Sequence, residues 1–265
     1  MEEFRVRGRK SEDGGRLTVD RRRKAGDLMK IDIVIPVYNE AENIGETLRA
    51  IDRNTAGIKD AEFSVNIVYD FPEDNTLPAV SAMVAEIKIP VRYTLNIAGG
   101  VVNAIKTGFR VSSGDFVLVT MADMSDDYSI LDDMVGLANK GNDIVCPSRY
   151  MKGGKLVGGP PVKQFLSRLA GLTMHWFSGI PTHDSTNSYK LYRLSLVKTI
   201  NIESEGGFEI GTEITVKVFR NGGKIAELPT IWFDREKGKS RFKLFKWIPK
   251  YLKWYFYLIK GKRNK

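Results

Sequence analysis

From Ile31 onward the hydrophobic positions follow two alternating rhythms. Short β-branched runs at 31–37, 63–69, 91–95, 115–121 and 142–146 read as strands. Between them, 41–54, 76–88, 100–111 and 129–139 carry apolar residues at helical spacing, the first of these capped around Asn39. Strands separated by helices need crossover connections, so the pattern predicts an α/β fold with a mostly parallel sheet. Beyond residue 150 the rhythm loosens. It offers helical patterns at 162–177 and 208–220, one strand at 224–233 with Pro229 marking an edge, and a terminal helical stretch from 242. Residues 1–30 have no apolar period and read as a disordered basic segment around Arg21-Arg22-Arg23-Lys24. Aromatic stacking residues are almost absent there, which argues against nucleic acid as a partner.

Charge sharpens this division. The formal net charge of +9 separates into +4 over residues 1–30, +11 over 235–265 and −6 over the stretch between them. A mildly acidic body with a strongly basic end points to an anionic surface as partner. On a helical projection from 242, Lys243, Lys246, Lys250, Lys253 and Lys260 share roughly a 100° sector, and aromatic and aliphatic residues fill most of the rest. That is the composition of an interfacial helix lying on a membrane, split in two by Pro249. The alternative is that its broad apolar side packs on the protein's own sheet, or on another copy in a homo-oligomer. The single cysteine, Cys146, cannot form an internal disulfide, no secretory apolar segment precedes Ile31, and no run of 18 residues suits a membrane span. The expectation is a cytoplasmic protein, peripheral on the membrane face.

The candidate chemistry begins at residues 114–127, where an apolar run breaks into Asp123, Asp126 and Asp127. In an open α/β sheet, ligands bind beyond the carboxyl ends of the strands, and acids there suit a hard divalent cation bridging to phosphate oxygens. A solvated acidic loop capping a helix near Ser129 is the other reading. There is no GxGxxG after a strand and no P-loop, and the Gly99-Gly100 pair reads as a helix start. His175 and His183 lack cysteine partners at zinc spacing and read as structural.

The run Ile-Val-Ile-Pro-Val-Tyr-Asn-Glu at 33–40 resembles the start of inverting family-2 glycosyltransferases, which have the Rossmann-like GT-A fold and use nucleotide-diphosphate sugars. The resemblance continues in order through Asp70, the block 121–125, Ser148-Arg149-Tyr150, Asp184 with the following Ser185-Thr186-Asn187-Ser188-Tyr189, Glu213, and residues 234–240. This later set is similar to dolichyl-phosphate mannosyltransferases and their polyprenyl-phosphate relatives, over roughly 31–245. It implies a GT-A domain over 31–240 followed by a basic aromatic tail over 241–265. It also implies that Pro36, Tyr38, Glu40 and Asp70 line the nucleoside pocket, and that Arg235 closes over the diphosphate. Asp123, helped by Ser125 and Asp126, would hold a Mg²⁺ or Mn²⁺ ion. Arg149, Lys163 and Ser167 would lie near the acceptor phosphate, with Asp184 in the catalytic set and Glu213 and Lys239 at the substrate. Lys163 and Ser167 stand at i and i+4 on one polar face of a helix otherwise carrying Phe165, Leu169, Leu172 and Trp176, although a solvated face has the same spacing.

The chain also departs from the pattern. Where the family has Asp-x-Asp followed two residues later by Gln, this sequence has Met121, Asp123 and Ser125. A thioether does not ligate a hard cation, so one carboxylate is missing. Mg²⁺ held by one or two carboxylates plus substrate phosphates tolerates that loss, and a metal-independent site stays open as well. Val102 replaces a family glycine, and Tyr69-Asp70 an acidic pair. The implied reaction transfers a sugar from a nucleotide-diphosphate donor to a lipid phosphate acceptor. That acceptor is already ionised, so no general base is required. A transferase for a glycan or soluble acceptor, and a non-catalytic nucleotide-sugar-binding protein at the membrane, remain as alternatives.

Overall fold

A computed structural model describes residues 27–234 and 244–260, with side chains from 248 onward in the last stretch. Arg235, Lys239, Lys243 and the basic run at 21–24 lie outside the described residues, and Lys246 is described in its backbone alone.

Strand β1 (Met29–Val37) shows why the sheet needs cover on both sides. Ile31, Ile33, Ile35 and Val37 enter one apolar core and Val34 enters the other. The chain continues as α1 (Ile44–Thr55), β2 (Ala61–Tyr69), α2 (Thr76–Met83), β3 (Val91–Leu95), α3 (Val101–Val111), β4 (Phe116–Val119), α4 (Leu131–Asn139) and β5 (Ile144–Ser148). Its second half holds β6 (Lys155–Val157), α5 (Pro161–Ser178), β7 (Lys190–Arg193), α6 (Leu194–Val197), α7 (Glu209–Arg220), β8 (Ile225–Pro229), β9 (Ile231–Phe233) and α8 (Leu244–Lys260). Seven strands form one sheet in the order β3-β2-β1-β4-β7-β5-β8, and β6 pairs with β9 in a separate ribbon. All pairings are parallel except those of β7, which is antiparallel to both β4 and β5. Helices α1, α2 and α4 close one core; α3, α6 and α7 close the other, joined by Met174 of α5 and Leu258 of α8. Strand order reverses between β1 and β4, and this switch point is where an open α/β sheet leaves a crevice.

Several expectations are corrected. The stretch 224–233 is two strands in two sheets, broken at Thr230, whose N–H donates to the Ser148 carbonyl (3.1 Å) while its own carbonyl accepts from Lys155 (2.9 Å). Pro229 does lie on an edge strand, β8. The first helix starts at Ile44, because Glu40 to Asn43 form a turn in which the Glu40 carbonyl accepts from Asn43 and Ile44. Asn39 is not its cap and sits at φ 56°. Helix α8 runs unbroken through Pro249. The proline forfeits one bond, to the carbonyl of residue 245, but burial of Trp254 (2 % exposed) and Leu258 holds the helix on the body. Lys217 of α7 lies 4.7 Å over the Trp254 ring, and Lys253 pairs with Glu203 at 2.8 Å. One stripe of α8 is therefore buried, packed mainly on α7 and α5 where the packing alternative had placed it on the sheet, while Leu252, Phe256 and Ile259 remain exposed.

Candidate active site

Where β4 ends, the backbone turns back on itself. The Thr120 hydroxyl donates to Asp126 Oδ2 (2.7 Å), the Met121 N–H reaches the same oxygen (3.3 Å), and the Ser125 N–H donates to Asp123 Oδ1 (3.2 Å). The Tyr128 hydroxyl ties Thr120 (3.0 Å) to the Met121 carbonyl (3.3 Å). Met124 is held at φ 58°, a strained conformation for a side chain of its size and of the kind that accumulates at functional loops. This loop leaves Asp123 and Asp126 both 8 % exposed. Burial, with Asp123 adding repulsion, pushes the Asp126 carboxyl up to about 7 against the opposing bonds from Thr120 and Met121.

The residues present fit a cation. The Ser125 hydroxyl is buried with no hydrogen-bond partner and lines the same cavity as Asp123 and Asp126. A buried orphan hydroxyl beside a carboxylate suits a hard cation or a phosphate oxygen. Among the described residues no group of three or more His, Cys, Asp or Glu could hold a metal ion. Any ion here would therefore take most of its ligands from diphosphate and water, as Mg²⁺ commonly does.

That cavity, of about 470 Å³, runs from Met121 and Asp123 past Arg149, Lys163 and Ser167 to Tyr251 of α8. Arg149 is fixed by Asp184: Nε donates to Oδ2 (2.6 Å), Nη2 to Oδ1 (2.8 Å) and the backbone N–H to Oδ2 (3.1 Å), with Nη2 also 3.2 Å from the Thr186 hydroxyl. Burial alone would push the Asp184 carboxyl up, but the Arg149 guanidinium and these bonds hold it below the ordinary carboxylate value. The segment carrying Asp184 is itself anchored. Lys190, fully buried, donates to the carbonyls of Ser185 (2.8 Å) and Asn187 (2.5 Å), and Glu227 accepts from the Thr182 hydroxyl (3.1 Å) and His183 Nδ1 (2.7 Å).

Helix α5 brings the other cations and hydroxyls. Lys163 and Ser167 do face one side and both line the cavity; the Ser167 hydroxyl pairs with that of Tyr150, and Lys163 Nζ lies 6.0 Å from the Trp232 ring centroid. Gly171 lets the helix approach: a Cβ there would stand 2.1 Å from the His183 carbonyl oxygen. Gly171→Ala is expected to push α5 off this segment and cost about 1–3 kcal/mol by overpacking. Thermal unfolding reads that loss.

Other sequence candidates lie elsewhere. Pro36, Tyr38, Glu40 and Asp70 sit at the carboxyl edge of β1 and β2, outside the cavity lining. The Asp70 carboxylate accepts from Asn96 Nδ2 (2.7 Å) and from the Gly100 N–H (2.8 Å) at the start of α3. Glu213 is buried and accepts from the backbone of Glu203 and Ser204 (2.7 Å each) and from Lys217 (2.6 Å), so it braces a loop rather than facing the cavity. Val102 points into the core under β1 and β2. Trp232 and Tyr251 line the cavity although neither belongs to a motif legible in the sequence, and Thr186, from the 184–189 run, lines it as well.

An open α/β sheet with acids at its switch point, beside a cavity that also carries Arg149 and Lys163, is the arrangement of a nucleotide-sugar transferase of the GT-A type. The chain belongs to glycosyl transferase family 2, whose family model matches residues 32–200. An undecaprenyl-phosphate mannosyltransferase from Micrococcus luteus is 32% identical over 225 residues, covering 80% of this chain and 87% of that protein. A dolichol-phosphate mannosyltransferase from Pyrococcus furiosus is 28% identical over 237 residues, covering 88% of this chain but only 64% of its own length. Glucosyl-3-phosphoglycerate synthase from Mycobacterium tuberculosis, solved with Mn²⁺, UDP and glucosyl-3-phosphoglycerate, shares the fold with a TM-score of 0.63 at 15% identity, covering 88% of this chain and 80% of that one.

Proposed function

We propose that this chain is an inverting transferase that moves a sugar from a nucleotide-diphosphate donor to a polyprenyl-type lipid phosphate at a membrane surface. The observation that carries this reading is the cavity itself. It joins the acids beyond β4 to Arg149, Lys163 and Ser167, and it ends in an apolar wall made by α5 and α8. The names of the Micrococcus and Pyrococcus relatives support the same acceptor class.

In this reading the donor diphosphate lies against the 120–126 loop. A Mg²⁺ or Mn²⁺ ion held there by Asp123 and Ser125, with Asp126 behind them, supplies charge neutralisation for the leaving diphosphate. Lys163 and Ser167 position the acceptor phosphate, and Arg149, kept rigid by Asp184, adds a fixed positive charge beside them. The acceptor oxygen attacks the anomeric carbon in line with the departing diphosphate, which inverts the configuration. An ionised phosphate carries no proton to remove, which accounts for a cavity lined by no histidine.

A lipid acceptor also accounts for the surface around the cavity. Helix α5 exposes Phe165 (65 % exposed), Leu169 and Trp176, and α8, packed against it, exposes Leu252, Phe256 and Ile259. Exposed apolar residues on two helices packed together mark a binding surface, and Lys253 and Lys260 on α8 suit an anionic leaflet. Among the described residues no helix is long and apolar enough to cross a membrane. The GT-A domain then covers 31–240, and 241–265 serves as the membrane-facing tail of a peripheral, cytosolic-side enzyme. Because Trp254 and Leu258 are core residues, point changes test the surface better than truncation. Phe165→Ser with Phe256→Ser should release the protein from anionic vesicles with its melting temperature unchanged, and salt should weaken what binding persists. Unaltered sedimentation of the double variant would remove the membrane from the account.

Donor binding is tested by thermal shift across nucleotide sugars, with and without Mg²⁺ or Mn²⁺. A ligand selective for the folded state raises the midpoint by mass action, and the shift should need the cation. A uniform absence of shifts would contradict the reading.

A further inference from the structure

We propose that Tyr150 is a positioning residue for the acceptor phosphate, its phenol holding the Ser167 hydroxyl in place while that hydroxyl turns its proton into the cavity. This rests on the lipid-phosphate reading above and adds to it a residue that touches no ligand. Ser167 lines the cavity, whereas Tyr150 lies outside the lining. The Ser167 hydroxyl has one proton and two partners, the Gln164 carbonyl (3.2 Å) and the Tyr150 hydroxyl. A carbonyl only accepts, so the Ser167 proton lies on the Gln164 side and the Tyr150 O–H is the donor of the second bond. The Ser167 side chain therefore aims its proton along α5 rather than into the cavity. At 3.2 Å that bond is long for a hydroxyl donor, and an ionised phosphate oxygen is the stronger acceptor. Rotation about the Cβ–Oγ bond alone then brings the proton to the phosphate, provided that Oγ stays where it is.

Tyr150 supplies that fixed point. Its backbone N–H donates to Ser148 Oγ (3.3 Å), as does that of Met151 (3.2 Å), and the Arg149 guanidinium lies 5.0 Å from its ring centroid. Burial raises the phenol's pKa even against the neighbouring Arg149 charge, so the donor proton is retained at neutral pH. The bond also joins two elements: Tyr150 follows β5 next to Arg149, and Ser167 stands on α5, one turn beyond Lys163. The phenol thus ties the loop that carries Arg149 to the helix that carries Lys163 and Ser167. A hydroxyl that receives a hydrogen bond also becomes a better donor to the anion beyond it.

Calorimetric titration of the full chain, Tyr150→Phe, Ser167→Ala and the double variant tests this, with a short-chain polyprenyl phosphate as one ligand and UDP or GDP with Mg²⁺ as the other. Tyr150→Phe keeps the ring and removes only the hydroxyl, so the melting temperature and the nucleotide affinity should stay at the parent's values. Its affinity for the polyprenyl phosphate should fall roughly ten-fold, the scale of one hydrogen bond in a chain that ends on a charged group. In the Ser167→Ala background the same change should have no further effect, since the phenol acts only through that hydroxyl. A tyrosine that merely packs would weaken binding equally in both backgrounds, and such additivity would overturn the proposal. So would a polyprenyl phosphate affinity within about two-fold of the parent in Tyr150→Phe, or an equal loss of nucleotide affinity. Each of these outcomes leaves the lipid-phosphate reading in place. A parent chain that binds nucleotide but no polyprenyl phosphate would overturn both.

Discussion

Replacing Asp123 by Asn is expected to lower sugar transfer by about two to three orders of magnitude, with little change in thermal stability. The amide is nearly isosteric, and its oxygen can still accept from the Ser125 N–H, so the 120–128 loop keeps its shape. What disappears is the negative charge at the head of the cavity. The Ser125 hydroxyl alone cannot hold a divalent ion against water, and Asp126 has one oxygen engaged by Thr120 and Met121. Met121→Asp makes the complementary change. Met121 lines the cavity, so a carboxylate there should tighten the dependence on Mg²⁺ or Mn²⁺, read as a lower metal concentration for half-maximal rate. Parent-level activity of Asp123→Asn in excess chelator would show that the loop does not hold the diphosphate through a cation.

Arg149→Ala is expected to damage both fold and reaction. It leaves the fully buried Asp184 carboxylate without its counter-ion, a loss of about 3–5 kcal/mol for a broken buried pair. The double change Arg149→Met with Asp184→Asn removes both charges, so stability should largely return while transfer to a phosphate acceptor does not. That separation distinguishes a guanidinium that serves the acceptor from one that only holds a loop. The pair also gives a pH signature. Asp184 is held below the ordinary carboxylate value of 3.8 in the folded chain, so its contribution is complete above that value and drains away as the pH falls through the folded one. Acid unfolding followed by circular dichroism should show this dependence, and Asp184→Asn should flatten it.

The parallel half of the sheet was legible because its strands are short stretches rich in β-branched residues, set between helices with a period of their own. The antiparallel strand β7 left no such trace. Its four residues are buried through pairing with β4 and β5, and Lys190 within it looks like a surface residue until its ammonium is seen to hold the 185–187 carbonyls. The site divides in the same way. Lys163 and Ser167 could be placed together from helical spacing alone, whereas Asp184 meets Arg149 across 35 residues of sequence and Glu213 turns inward to brace Glu203 and Ser204. At Pro249 the local signal was a helix break, and tertiary burial of Trp254 and Leu258 outweighed it.

The most direct measurement offers the full chain a panel of isotopically labelled nucleotide sugars together with a short-chain polyprenyl phosphate and Mg²⁺ or Mn²⁺. The organic extract is then analysed by mass spectrometry and the anomeric configuration by nuclear magnetic resonance. The expected result is a glycosyl polyprenyl phosphate with inverted configuration from one donor, formed about two to three orders of magnitude more slowly by Asp123→Asn. Label appearing only as free sugar or on a soluble acceptor, or a product with retained configuration, would contradict the account.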